Sequence, residues 1–135
     1  MLPELSDGDL IIYSRQFYGP LLGNKRLWIW KKAKPGELIV FYSKKENKII
    51  VKRCAAIEGD PVEYENGSVR IGEIIFTTTP EMNEYFKQYK YVPGNCLFLL
   101  GDNSKKSIDS RYLGFVSMDD VRGKVVYISR RKDDN

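Results

Sequence analysis

The chain has 135 residues, of which 42% are hydrophobic and 30% charged, and its net charge is +4. This size and balance favour one folded domain, residues 1–135, with a single moderate core. No apolar run approaches the ~20 residues that a membrane-spanning helix needs and no signal-peptide pattern is present, so the printed chain is expected to be soluble. Its lysines and arginines are spread over short runs, which argues against nucleic acid as a partner.

Short runs of β-branched and aromatic residues, separated by Gly, Pro, Asn and Asp, predict a mostly-β domain. In chain order the predicted strands are Asp9–Ser14, Leu27–Lys31, Glu37–Ser43, Lys48–Ile57, Pro61–Tyr64, Ser68–Ile71, Glu73–Phe76, Cys96–Leu100 and Gly123–Ser129.

Turn and helix signals are few. Asn66-Gly67 predicts a type I′ hairpin, because both central positions of that turn need a positive φ. Short helices are predicted at Pro80–Tyr89, where proline suits the first turn, and at Ser117–Val121, which begins with a capping serine.

The strand Lys48–Ile57 carries two adjacent cations. Alternation places Ile50, Lys52, Cys54 and Ala56 on one face, and Ile49, Val51, Arg53, Ala55 and Ile57 on the other. Arg53 suits a carboxylate pair, whereas Lys52 suits a general base if its pKa falls by roughly three units from ~10.4. A lysine that merely extends to the edge of the sheet is the alternative.

The cysteines, Cys54 and Cys96, stand in a chain without histidine. This set is too small for a metal site, and no metal or cofactor is expected. A disulfide between them remains an alternative for a protein outside the cytoplasm, but two buried free thiols are favoured.

The segment Gly101–Gly114, GDNSKKSIDSRYLG, is dense in residues whose side chains bond to nearby backbone. Its composition is compatible both with a simple connecting loop and with a functional loop. A calcium loop is excluded, because Ser104 and Lys106 occupy positions where acidic ligands would be needed.

Four stretches of the sequence together resemble the type I signal peptidases. They are MLPELSDGD, KPGELIVF, VKRCAAIEGDPVEY and GDNSKKSIDSRYLGFV, which occur in that family's order and cover about Met1–Ile128. The resemblance implies an antiparallel, barrel-like β fold with one or two short helices. It also implies a serine that attacks the peptide carbonyl and a neutral lysine that takes its proton.

The resemblance also assigns roles to particular residues. Lys52 corresponds to the general base, and Ser107 corresponds to the serine that orients it, with Ser104 as a nearby rival. Structural ion pairs are implied for Arg53, Asp102, Asp109 and Arg111. Met1, Leu5, Ile50 and Val51 fall near the shallow apolar pockets that accept small residues of a signal peptide.

The sequence departs from the family pattern at its start. The family's nucleophilic serine would immediately precede Met1, and a side-chain donor of the oxyanion hole would lie two residues earlier. Neither is printed, so the chain as it stands is expected to be inactive. Glu4 stands where Thr is usual and Cys54 where a small aliphatic residue is common, so local packing is expected to differ.

The leading hypothesis is therefore the soluble part of a type I signal peptidase, a serine endopeptidase that removes signal peptides from secreted preproteins. The native protein would be anchored upstream of Met1 and act at the extracytoplasmic face of the cytoplasmic membrane, with signal peptides and the membrane surface as partners. The alternative is a non-catalytic relative that binds a secreted partner or peptide.

Overall fold

The computed structural model describes residues 10–15, 17–19, 21–22, 25–26, 31–102 and 108–129. Nearly half of the described residues lie in antiparallel β-strands, which confirms the predicted mostly-β fold class, and two short α-helices accompany the strands. The elements are β1 (Leu10–Ser14), β2 (Leu21–Leu22), β3 (Lys25–Arg26), β4 (Leu38–Ser43), β5 (Lys48–Ile57), β6 (Val62–Glu65), β7 (Ser68–Ile71), β8 (Ile74–Phe76), α1 (Pro80–Lys87), β9 (Cys96–Leu100), α2 (Ser110–Leu113), β10 (Val116–Ser117) and β11 (Val121–Ser129).

The main sheet has six strands in the order β1-β11-β4-β5-β9-β10, and every neighbouring pair is antiparallel. Over the described residues β1 and β10 do not pair with each other, so this sheet is not closed into a barrel. The barrel-like expectation is corrected to an open sheet. The edge strand β10 has only two residues, which is too short a ladder to complete a closed ring of strands.

A second sheet is formed by β6, β7 and β8. Its first hairpin turns at Asn66 and Gly67, whose φ angles are 52° and 80°. Both are positive, as a type I′ turn requires, so the predicted turn is confirmed. The segment from Gly59 to Val92 that contains this sheet closes on itself, because Gly59 N–H donates to Val92 C=O at 3.0 Å and Val92 N–H donates to Asp60 C=O at 2.8 Å.

A β-bulge in β5 changes which side chains share a face. The register against β9 shifts between Cys54 and Ala56. Beyond the bulge, Ala56 packs with Phe98, and Ile57 packs in the cluster that contains Cys54. The alternation predicted for Ala56 and Ile57 was therefore wrong, because a bulge inserts one residue and exchanges the faces after it.

Within the described part of the chain, buried side chains form three clusters. One, around Ile39, Phe41, Cys54 and Leu99, covers one face of the main sheet. A second joins the main sheet to β7 and α1, and the third lies on the opposite face of β4. The second contains Val69, Ile71, Phe76, Phe86 and Phe98, and the third contains Leu38, Val40 and Val125.

Both cysteines are free. Cys54 lies opposite Leu99 of β9 and is buried in the first cluster, where desolvation raises the pKa of its thiol to about 12. Cys96 is half-buried and packs against the second cluster. The free-thiol interpretation is thus confirmed over the disulfide, with Cys96 less buried than expected.

The remaining elements differ from the predictions at their margins. Helix α1 ends two residues earlier than predicted, and the second predicted helix is a short 3-10 turn, Met118–Asp120, capped by Ser117. The sequence patterns missed β2, β3, β10 and α2. Of the predicted strand Leu27–Lys31, residues 27–30 lie outside the described chain and Lys31 is in a bend. No helix among the described residues is long and apolar enough to cross a membrane.

The sheet makes a sharp prediction at Gly123, where β11 approaches β1. A Cβ atom at this position would overlap the backbone carbonyl oxygen of Ser14. Because backbone cannot move aside, Gly123→Ala is expected to lower the free energy of unfolding by about 2 kcal/mol in urea denaturation. Gly94→Ala is the control, since its Cβ would meet nothing closer than 3.8 Å. Equal stability of the two variants would contradict the close approach of the strands.

Candidate active site

Lys52 lies near the middle of β5, directly opposite Ile39 of β4. Ile39 is fully buried, and Lys52 itself is half-buried. The apolar runs of β4 and β5 thus fix a lysine beside the core, where its ammonium loses part of its hydration. Desolvation is the main cause that lowers the pKa of Lys52 below its ordinary value of 10.5.

Four charged groups further adjust the pKa of Lys52. Lys48 and Arg111 lower it, whereas Asp109 and Asp102 raise it. The net direction is downward, which favours the neutral amine. A neutral amine can accept a proton from a hydroxyl group, so this position suits general-base chemistry.

The next residue, Arg53, holds the segment that follows β9. Its Nε and Nη2 atoms donate to the two carboxylate oxygens of Asp102, both at 2.8 Å. Its Nη1 atom donates to the carbonyl of Gly36 at 3.0 Å. Because Asp102 also acts on the pKa of Lys52, this two-point pair holds the start of the Gly101–Gly114 segment near Lys52.

Asp109 forms the second arginine–aspartate pair of this segment, and this pair is buried at the aspartate. Its side chain is fully buried, and it accepts hydrogen bonds from Arg111 Nε at 2.9 Å and from Arg111 Nη2 at 2.8 Å. It also accepts from the backbone N–H groups of Gly101 at 3.0 Å and Arg111 at 3.0 Å. Asp109 therefore closes the segment that begins at Gly101 and caps helix α2.

Helix α2 is joined to the sheet by Ser110, whose buried Oγ accepts the N–H of Leu99 at 2.9 Å. Three side chains from elsewhere reach the end of the helix. Thr78 Oγ1 donates to Arg111 C=O at 2.7 Å, Lys45 Nζ donates to Tyr112 C=O at 3.0 Å, and Phe115 N–H donates to Tyr85 Oη at 3.1 Å. Sequence reasoning missed these contacts, since no local pattern at Thr78, Lys45 or Tyr85 signals a partner so far along the chain.

Other residues assigned from sequence are placed differently. Ile50 and Val51 are half-buried on opposite faces of β5, so each would line a different surface. Met1, Leu5, Ser104 and Ser107 lie outside the described residues. Across the described chain, no group of three or more His, Cys, Asp or Glu side chains could hold a metal ion.

A cavity of about 220 Å³ lies elsewhere in the molecule. Its lining residues include Ala33, Ile57, Leu97 and Met118, with Cys96 at its wall. None of the residues around Lys52 described above contributes to it. The candidate site is therefore defined by its charged groups rather than by this cavity.

The chain is similar to proteins of known type along most of its length. Residues 1–129 match the family model described as signal peptidase, peptidase S26. Signal peptidase I of Bacillus caldolyticus is 30% identical over 93% of this chain and 71% of that protein.

Relatives from organelles give the same picture. Thylakoidal processing peptidase 1, chloroplastic, of Arabidopsis thaliana is 26% identical, and mitochondrial inner membrane protease subunit 1 of Homo sapiens is 28% identical, each over 94% of this chain. This chain spans 38% and 62% of their respective lengths.

The fold is similar to that of a solved structure. The crystal structure of a signal peptidase I from Enterococcus faecalis V583 has a TM-score of 0.52 and 26% identity to this chain. The match covers 71% of this chain and 98% of that one.

The buried charge predicts a large effect of Asp109→Asn. The variant keeps the shape of the side chain but turns an amide N–H₂ toward the donors of Arg111, so the free energy of unfolding is expected to fall by about 3 kcal/mol. The matched control is Glu84→Gln, which breaks the exposed Lys87–Glu84 pair. The Glu84 side chain is 74% exposed, so loss of this pair should leave the urea midpoint unchanged. Similar, small shifts for both variants would mean that the Asp109 carboxylate is not required.

Proposed function

The chain belongs to the signal peptidase family, peptidase S26, and from that premise we propose that it is the catalytic β domain of a serine endopeptidase that removes signal peptides, with Lys52 as general base. The environment of Lys52 carries the proposal. The amine is partly desolvated, its pKa is lowered, and two arginine–aspartate pairs hold Asp102 and Asp109, which both act on that pKa.

The nucleophile in this proposal is a serine joined directly to Met1. Its hydroxyl oxygen bonds to the carbonyl carbon of the scissile peptide while the hydroxyl proton passes to the neutral Lys52 amine. The resulting ammonium returns that proton to the leaving amine as the peptide C–N bond breaks. Lys52 then takes a proton from water, whose oxygen bonds to the acyl carbon, and returns that proton to the serine oxygen as the acyl–serine bond breaks. Ser107 is proposed to orient the lysine through its hydroxyl.

Substrate selection in this proposal rests on small apolar contacts. Met1, Leu5, Ile50 and Val51 would contribute to shallow pockets that accept small residues near the cleavage site. Because Ile50 and Val51 lie on opposite faces of the inner strand β5, a bound peptide on one face would contact only one of them. Apolar walls of this kind read the size of a residue rather than its charge.

A membrane surface is the second proposed partner, at the extracytoplasmic face of the cytoplasmic membrane. Four apolar side chains of β1 and β11 are more than half exposed: Leu10, Ile12, Val126 and Tyr127. Ile12 and Tyr127 are direct cross-strand neighbours, so these two exposed side chains adjoin each other. Exposed apolar side chains that include a tyrosine suit contact with the interfacial region of a bilayer.

Substitution of Lys52 tests the catalytic proposal. In a chain extended with a membrane anchor and with serine at the position before Met1, Lys52→Met is expected to keep the fold and to abolish cleavage of a preprotein in detergent. With Lys52 intact, kcat/KM should rise with pH through a limb whose midpoint lies below 10.5, because only the neutral amine accepts the proton.

Lys48→Met is the matched control on the same strand. It removes a cation that lowers the pKa of Lys52, so cleavage should persist while the rising limb moves to higher pH. Cleavage that survives Lys52→Met would overturn the assignment of the base. A serine-bearing chain that binds a preprotein without cutting it would favour the non-catalytic alternative.

The membrane proposal is tested with vesicles of phosphatidylethanolamine and phosphatidylglycerol. The double variant Ile12→Ser and Tyr127→Ser is expected to bind about tenfold more weakly in sedimentation, because exposed apolar area is lost. Ile75→Ser is the control, since Ile75 is 67% exposed but lies on β8 of the second sheet. Equal binding by all three proteins would exclude this face as the docking surface.

A further inference from the structure

Helix α2 has only four residues, so it gains little stability from its own hydrogen bonds. Two of its carbonyl groups are bonded instead by side chains from distant segments. Thr78, which lies between β8 and α1, donates to Arg111 C=O at 2.7 Å, and Lys45, which follows β4, donates to Tyr112 C=O at 3.0 Å. The position of α2 therefore depends on these contacts.

The contact of Thr78 leads directly to the charged groups beside Lys52. Thr78 Oγ1 holds the backbone of Arg111, the guanidinium of Arg111 holds Asp109, and Asp109 accepts the N–H of Gly101. These three bonds are 2.7, 2.8 and 3.0 Å long. A displacement of Arg111 would thus pass to both ends of the segment that borders Lys52.

The far end of α2 is closely packed as well. A Cβ atom at Gly114 would lie 2.8 Å from the ring of Tyr85, and the φ angle of Gly114 is +83°. The next residue, Phe115, donates its N–H to Tyr85 Oη. The end of the helix lies against Tyr85, and the hydroxyl of Thr78 is the side-chain contact that holds the carbonyl of Arg111 in the preceding turn.

We propose that Thr78 is a positioning residue for the Lys52 site, because its hydroxyl holds α2, and with it the Asp109–Arg111 pair, in place. The inference rests on the proposed function of Lys52. Thr78 contacts neither substrate nor the reacting atoms in this proposal and acts through Arg111.

The charges that face Lys52 make the effect measurable. Asp109 and Arg111 belong to the segment that Thr78 holds, whereas Asp102 pairs with Arg53 and Lys48 lies on β5. Asp109 raises the pKa of Lys52 and acts more strongly than Arg111, which lowers it. Moving the pair away from Lys52 should therefore lower that pKa further.

The first experiment uses the serine-bearing, anchored chain at a temperature well below the melting point of every variant. Thr78→Val, which keeps the shape but removes the hydroxyl, is expected to lower kcat about tenfold with KM nearly unchanged, because the site is misaligned rather than emptied. Thr78→Ser should restore kcat. Thr77→Val is the matched control, since Thr77 is the adjacent, exposed threonine.

A second experiment separates this inference from the proposed function. In the chain as printed, with ¹³C-labelled lysine, the pKa of Lys52 is measured by NMR titration of its Cε resonance. Thr78→Val should lower that pKa, whereas Thr78→Ser and Thr77→Val should leave it unchanged. This result would support the positioning role even if the serine-bearing chain cleaved no preprotein.

The outcome that overturns the inference is equally definite. If Thr78→Val matches Thr77→Val both in kcat and in the pKa of Lys52, Thr78 does not position the site. The catalytic proposal for Lys52 would stand in that case, provided that Lys52→Met still abolished cleavage.

Discussion

The site depends on one buried charge that must be neutralised. The Asp109 carboxylate has no exposed surface, and an uncompensated charge in that position would be very unfavourable. Arg111 and the backbone of Gly101 supply the compensation. Satisfying this carboxylate brings the end of β9 and the start of α2 together, so a requirement of electrostatics sets the geometry of the segment beside Lys52.

A lysine can serve as a base only where water is partly excluded, and the fold provides such a place without a deep pocket. β4 presents a fully buried Ile39 opposite Lys52, which removes hydration from the amine. Asp109 and Asp102, which raise the pKa of Lys52, are each paired with an arginine. Desolvation outweighs these two carboxylates, and the pKa of Lys52 is lowered.

Local patterns predicted the strands well, because runs such as CLFLL and KIIVKRCAAI are apolar, β-branched and bounded by turn residues. The Asn66-Gly67 turn was predicted equally well, because two residues determine a turn of this type. The bulge in β5 was not predicted, because it arises from the register against β9 and not from the composition of β5. The motif named Arg53, Asp102, Asp109 and Arg111 as charged partners, but only tertiary contacts match arginine to aspartate.

The closure of the Gly59–Val92 segment has a consequence for how such a chain can diversify. Because its two ends are hydrogen-bonded neighbours, the segment leaves the main sheet and returns to the same point. A segment attached in this way can be lengthened, shortened or exchanged with little disturbance to the strands of the main sheet that it connects. Any replacement must still cover the second cluster, as Phe76 and Phe86 do, and place a hydroxyl against the carbonyl of Arg111, as Thr78 does.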